Sequence, residues 1–398
     1  MANPDSTELI FVNLCFSPES GTTLSEKLAD CYRQFSESKQ EIAYSKNQIV
    51  KQTIFLSAQN KSEYFQNKQN IIAFATYYFG VLPPTSVLSQ SPDNESIVLE
   101  IVCLQGAKPT EITIKRNETA SWSLFQRDGL KLIFAAGLCL DKESDDILIH
   151  SMESFAKVQH ILKEEGMNFS DIIRQWNYIE QITEKIGVDG KKSQHYQIFN
   201  DVRSKYYRLA DFVNGYPAAT GIGMNFGGIS IDFIAAKSEN KSSVIGIKSP
   251  VQVDAYNYTE AVLKENCAMY DFCRTTPKFE RAKLFFTSEK KWIFISGTAA
   301  ISGQDSADQN SVEYQTEMTI QNILQLVSVK NIQQQGINIT EDPIINYLRI
   351  YVKYKKDMPV VKQICNRYFD GTPVVFVVAD ICRPELLVEI EGQAVLNE

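Results

Sequence analysis

LKLIFAAGLCL at residues 130–140 and KKWIFISGTAAISG at residues 290–303 decide the fold of this chain. Each is a short apolar, β-rich run that stops at a glycine, Gly137 in the first and Gly297 in the second. Beyond each glycine the same order of segments occurs. SMESFAKVQHILKEEG (151–166) leads into DIIRQWNYIEQI (171–182), and EYQTEMTIQNILQLV (313–327) leads into DPIINYLRIYVKY (342–354). The first member of each pair repeats its apolar residues at helical spacing, through Phe155, Val158, Ile161 and Leu162, or through Met318, Ile320, Ile323 and Leu324. The second member is rich in aromatic and β-branched residues, as strands are. Strand, glycine, helix and strand recurring in one order predict a repeated α+β unit.

Outward from the repeat, residues 94–103 and 110–115 read as strands, and the first 120 residues carry no other usable motif. Thr372-Pro373 opens an apolar strand over 374–381. Arg383-Pro384 breaks it, and the run 386–391 alternates as a half-buried strand does. On that run Glu389 shares a face with Leu387 and Glu391. A carboxyl so placed is a candidate general acid with a raised pKa. Gly221, Gly223, Gly227 and Gly228 in TGIGMNFGG lead into GISIDFIAA, whose alternation marks a strand. A dinucleotide fingerprint needs a helix there, so the glycines read as a turn or a close backbone approach.

Forty basic residues stand against 48 acidic ones in 398, a net charge of −8. That balance argues against a nucleic-acid surface. Three histidines, His150, His160 and His195, leave little for metal or His-based chemistry, and no metal site is expected. Eight cysteines without a CxxC pair read as reduced thiols. MANPDSTELIF lacks the basic and apolar regions of a secretory signal, and no apolar run can span a bilayer. A cytoplasmic protein without membrane contact is expected. Arg203, Arg281, Arg349 and Arg383 stand beside aromatic or apolar residues, where a guanidinium can grip a carboxylate.

ISGTA (295–299), LRIYVK (348–353) and CRPELLVEIEG (382–392) resemble the RidA/YjgF fold, an α+β unit with a mixed sheet backed by two helices. Two such units, with YQIFNDVR (196–203), GYPAATGIG (215–223), YNY (256–258) and FERA (279–282), resemble the chorismatases over residues 120–398. The resemblance implies two tandem units, an N-terminal degenerate one with its extension over 1–210 and a C-terminal catalytic one over 211–398. It implies cleavage of the enolpyruvyl ether of chorismate, with no cofactor. Glu389 takes the proton-transfer position, and Arg281, Arg203, Tyr196 and Tyr256 (less surely Tyr258) bind the dicarboxylate. Tyr216, Thr220, Gly221, Gly297, Thr298 and Arg383 enter the substrate set through their motifs.

Cys382, seven residues before Glu389, stands where the aromatising members carry Cys, which implies 3-hydroxybenzoate as product. Ala219 replaces a Ser common in that motif. The arginine that RidA imine deaminases carry before their VEIE glutamate is absent from 372–374, which disfavours that chemistry. A hydrolytic chorismatase giving 3,4-dihydroxycyclohexa-1,5-dienoate and a non-catalytic metabolite-binding module are the alternatives. Tandem units can supply an inter-domain site within one chain, so a monomer is expected.

Overall fold

The computed structural model describes residues 8–396 except 43–47, 94, 141–143, 188–191, 239–243, 260–262, 264–273, 288–289 and 308. Cys267 and Cys273 lie outside the described residues. The expected α+β units are present, and a third precedes them. The N-terminal unit runs β1 (Ile10–Phe16), α1 (Leu24–Ile42), β2 (Ile49–Leu56), α2 (Lys61–Phe79), β3 (Thr85–Leu88) and β4 (Ile97–Gln105). The middle unit has β5 (Ile112–Arg116), β6 (Ser121–Arg127), β7 (Leu130–Cys139), α3 (Ile147–Glu164), β8 (Ile172–Glu180), α4 (His195–Tyr207), β9 (Ala218–Met224) and β10 (Ile229–Ser238).

The C-terminal unit has β11 (Val244–Ile247), β12 (Ala282–Phe286), β13 (Lys291–Ala299), α5 (Val312–Leu326), α6 (Val329–Gln334), β14 (Ile344–Val352), α7 (Met358–Tyr368), β15 (Val374–Val378) and β16 (Val388–Leu396). The sheets share one core order: β1-β4-β2-β3, β7-β10-β8-β9 and β13-β16-β14-β15. In each, only the last two neighbours are parallel. The N-terminal copy lacks the leading strands that β5, β6, β11 and β12 add to the others.

This order corrects two expectations. A division at residue 210 would cut β9 and β10 away from β8, to which both are hydrogen-bonded, so the middle unit ends after Ser238. The N-terminal stretch is a unit with its own core, not an extension. In α5 the buried face is Val312, Thr316, Thr319, Ile320, Ile323 and Leu326, while Met318 and Leu324 lie at its edge. The turn of the stripe is offset because two threonines serve as core residues, each hydroxyl bonded back to the carbonyl four residues earlier.

Helices pack on one face of each sheet, giving three separate cores. The opposite faces meet in two apolar layers drawn from all three units, including Phe11, Phe134 and Trp292 in one and Phe55, Tyr178 and Tyr351 in the other. Buried charges lie at this junction. Lys51 pairs with Asp232 at 2.8 Å, Arg174 with Glu391 at 2.6 Å and Arg349 with Glu100 at 2.7 Å. Each pair links one unit to another, so the three close a ring: first to second, second to third, third to first. All six side chains are at most 2% exposed.

The register makes the acids equivalent. Glu100, Asp232 and Glu391 each stand opposite the β2, β8 or β14 residue Thr53, Trp176 or Arg349. Ser86 and Thr220, paired with Thr53 and Trp176, each donate a hydroxyl hydrogen bond to the acid of the next unit. Trp176 sits among the cations, with Lys51 at 4.3 Å, Arg174 at 4.5 Å and Arg349 at 5.9 Å from its ring. Removing one member would strand a buried charge, which costs about 3–5 kcal/mol. No helix among the described residues is long and apolar enough to cross a membrane.

Candidate active site

The seam between the middle and C-terminal units opens into a cavity of about 930 Å³ of empty space, its mouth included. Strand β9 forms one wall, because single β-bridges tie Ala218 to Glu280 and Ile222 to Ile381 of the next unit. Strand β16 brings Glu389 to the floor, two residues before Glu391 and therefore on the same strand face. Glu389 is 4% exposed, and its carboxyl makes no hydrogen bond to a described residue. Burial, then the neighbouring Glu391 carboxylate, pushes its pKa up to about 8, against the partial relief of Arg174 and Arg281. Glu391 itself is held by Arg174, Arg349, Thr220, Trp176 and Tyr351. The charge ring thus anchors the acid whose charge adds to burial in raising the Glu389 pKa.

Two glycines are required here by contact. A Cβ on Gly297 would stand 2.0 Å from Glu389 Oε1, and one on Gly221 would stand 2.8 Å from Tyr196 Cε2. The glycine-rich segment therefore admits neighbouring side chains, not a phosphate. Tyr196 lies against Gly221, and burial and the nearby Cys382 raise its pKa, so it stays a neutral phenol. Cys382 faces the cavity, and burial, then Glu389, pushes its thiol up to about 12. It is a neutral thiol near Glu389, not a thiolate.

Two arginines flank one tyrosine. Arg281 Nη2 donates to Tyr258 Oη at 2.7 Å, and the Arg281 and Arg383 guanidiniums lie 5.7 and 5.5 Å from the Tyr258 ring. Arg281 is 2% exposed, and its Nε has no hydrogen-bond partner among the described residues. Arg383 is tied by Nη1 to the Gln304 carbonyl at 2.9 Å and to Ser306 Oγ at 3.0 Å.

Seven expected residues line this one cavity: Tyr196, Gly221, Arg281, Gly297, Cys382, Arg383 and Glu389. The other five do not. Tyr256 turns its hydroxyl to Asp254 and Glu280, and Tyr258 takes the wall position instead. Thr220 lies beneath the floor, accepting from Gly297 N at 3.0 Å while it donates to Glu391. Thr298 bonds back to the Ser296 carbonyl. Arg203 is buried behind Asn200, which accepts from it, and Tyr216 lines a separate cleft. Arg349 serves the charge ring.

Gln194, Gln197 and Asn200 also line the cavity. The spacing of three between Gln197 and Asn200 on YQIFN is the helical-face signal that would have found those two. At the other two seams, the position two before the ring acid is Val98 or Ser230. Of the three equivalent positions, only that of the middle–C-terminal seam carries an acid.

Residues 110–235 match the family model for the N-terminal domain of FkbO/Hyg5-like chorismatases. A 3-hydroxybenzoate synthase of Streptomyces hygroscopicus is 28% identical over 246 residues, 60% of this chain and 67% of that protein. A chorismatase of the same organism is 27% identical over 235 residues, 57% of this chain and 62% of that protein. The matched stretches thus span about two thirds of these curated relatives. A solved chorismatase structure superposes with a TM-score of 0.69 at 19% identity, covering 96% of this chain and 98% of that one. Over residues 110–235 this chain thus resembles the N-terminal domain of the chorismatases, and along almost its whole length it shares the fold of a solved chorismatase.

Proposed function

We propose that this chain cleaves the enolpyruvyl ether of chorismate, releasing pyruvate and 3-hydroxybenzoate. The observation that carries the reading is Glu389, a carboxyl kept protonated near neutral pH in a cavity that also holds Arg281 and Arg383. Protonation of the terminal methylene of an enol ether makes an oxocarbenium ion. A general acid poised near the working pH makes that step fast, and the carboxylate left behind stabilises the cation. Arg281 and Arg383, either side of Tyr258, supply the two positive charges a dicarboxylate needs.

Cys382 supports the aromatising outcome. 3-Hydroxybenzoate and pyruvate together have the composition of chorismate, whereas the diol route consumes a water. A neutral, weakly polar thiol beside Glu389 offers little to hold that water. The carboxamides of Gln194, Gln197 and Asn200 favour the hydrolytic alternative, since they can hold one. Chromatography of the products from wild type and Cys382→Ala separates the two. Diol appearing in the variant supports the assignment, and an unchanged product ratio contradicts it. The tandem units can supply the seam within one chain, so a monomer is expected as the working unit. Light scattering at assay concentration checks this.

A further inference from the structure

Beyond the cavity, α4 continues along the same face through Ser204 and Tyr207 into a second, open cleft. The segment 274–279 straps both openings to the helix: Thr275 N donates to Asp201 Oδ1 at 2.8 Å, and Gln197 Nε2 donates to the Thr275 carbonyl at 3.0 Å. Between the openings lies Arg203. It is 1% exposed, its Nη2 reaches the neutral Asn200, and its Nε has no hydrogen-bond partner among the described residues. A buried guanidinium without a counter-ion is costly. Lys278 and Arg208 line the outer cleft, and neither makes an ion pair among the described residues. Burial, then the charges of Arg203 and Arg208, lowers the Lys278 pKa, as expected of three cations crowded together. The one carboxylate on the cleft wall, Asp211, is exposed.

Three aromatic side chains share the wall with Ser204, Ala210 and Thr275. Tyr216 lies 4.7 Å from Phe212 and 5.9 Å from Tyr207, the two tyrosine planes 14° apart, and Lys278 Nζ lies 5.9 Å from the Tyr216 ring. Cations beside half-buried rings, in a chain of net charge −8, match a ligand that is both anionic and flat.

We propose that this outer cleft is a second binding site, for an aromatic monocarboxylate, distinct from the catalytic cavity. It goes beyond the reaction proposed above and does not depend on it. Benzoate is the probe, titrated calorimetrically into the full chain. Wild type should bind two molecules. Arg281→Gln should keep the outer site, while Arg208→Gln/Lys278→Gln should weaken it at least about tenfold and keep the inner one. Both substituted outer side chains are partly or fully exposed, and circular dichroism checks that the fold survives. Cyclohexanecarboxylate, which lacks the flat ring, should bind the outer site less tightly than benzoate. Binding lost entirely in Arg281→Gln, or an isotherm unchanged by the double substitution, overturns the proposal. Because binding needs no turnover, its failure is separable from failure of the catalytic assignment.

Discussion

Glu389→Gln should gain stability over wild type as pH rises, even as it removes the proton donor. In the folded chain the carboxyl titrates near 8, against 4.5 for an ordinary glutamate. Between those values the folded state holds a proton that the unfolded state has released. Stability therefore falls as pH rises through that window, by about 1.4 kcal/mol per pH unit. From pH 4.5 to 7 this amounts to about 3 kcal/mol, lost by wild type and not by the glutamine variant. Below pH 4.5 both states are protonated and the two proteins should match. Urea titrations of both proteins at pH 5, 6, 7 and 8 read the difference directly. The gap should widen steadily with pH, by a few kcal/mol in total. A gap that stays constant across this range would refute the claim that burial and Glu391 hold Glu389 protonated.

Three further outcomes rest on the same geometry. Since the acid form is the donor, kcat/KM should fall about tenfold per pH unit above pH 8, a profile that stopped-flow assays resolve. Gly297→Ala places a methyl in the space of Glu389 Oε1 and against Thr220, so it should cut turnover at least about tenfold while circular dichroism stays native. Arg174→Gln leaves Glu391 with Arg349 as its only ion-pair partner among the described residues. It should cost about 3–5 kcal/mol in denaturant melts and raise the upper pKa of the activity profile, because less positive charge opposes protonation of Glu389.

The units are legible in the sequence where periodicity is strong. β7, α3 and β8, and β13, α5 and β14, match the two repeated stretches because each helix buries one face, although β7 and β13 run two residues past Gly137 and Gly297, where the sequence pattern ends them. The N-terminal copy is not legible as a unit, because it lacks two strands, although its β4 is read as a strand from IVLEIVCLQ, apolar but for one glutamate and one glutamine. That glutamate, Glu100, marks its kinship with Asp232 and Glu391, but only the strand register reveals the equivalence. At the site, Glu389 is legible from alternation and resemblance together. Tyr256 and Tyr258 differ by two residues across a short helical turn, and sequence does not say which one meets Arg281. Arg203 resembles a ligand because an arginine beside aromatics suits a carboxylate. Its place one turn beyond Asn200 puts it behind the wall.

The most direct measurement is pyruvate release from chorismate by the purified full chain in EDTA, with the aromatic product identified alongside. The account predicts equimolar pyruvate and 3-hydroxybenzoate, and at least about a hundredfold loss of rate in Glu389→Gln. No pyruvate, or near-normal turnover in that variant, would contradict it.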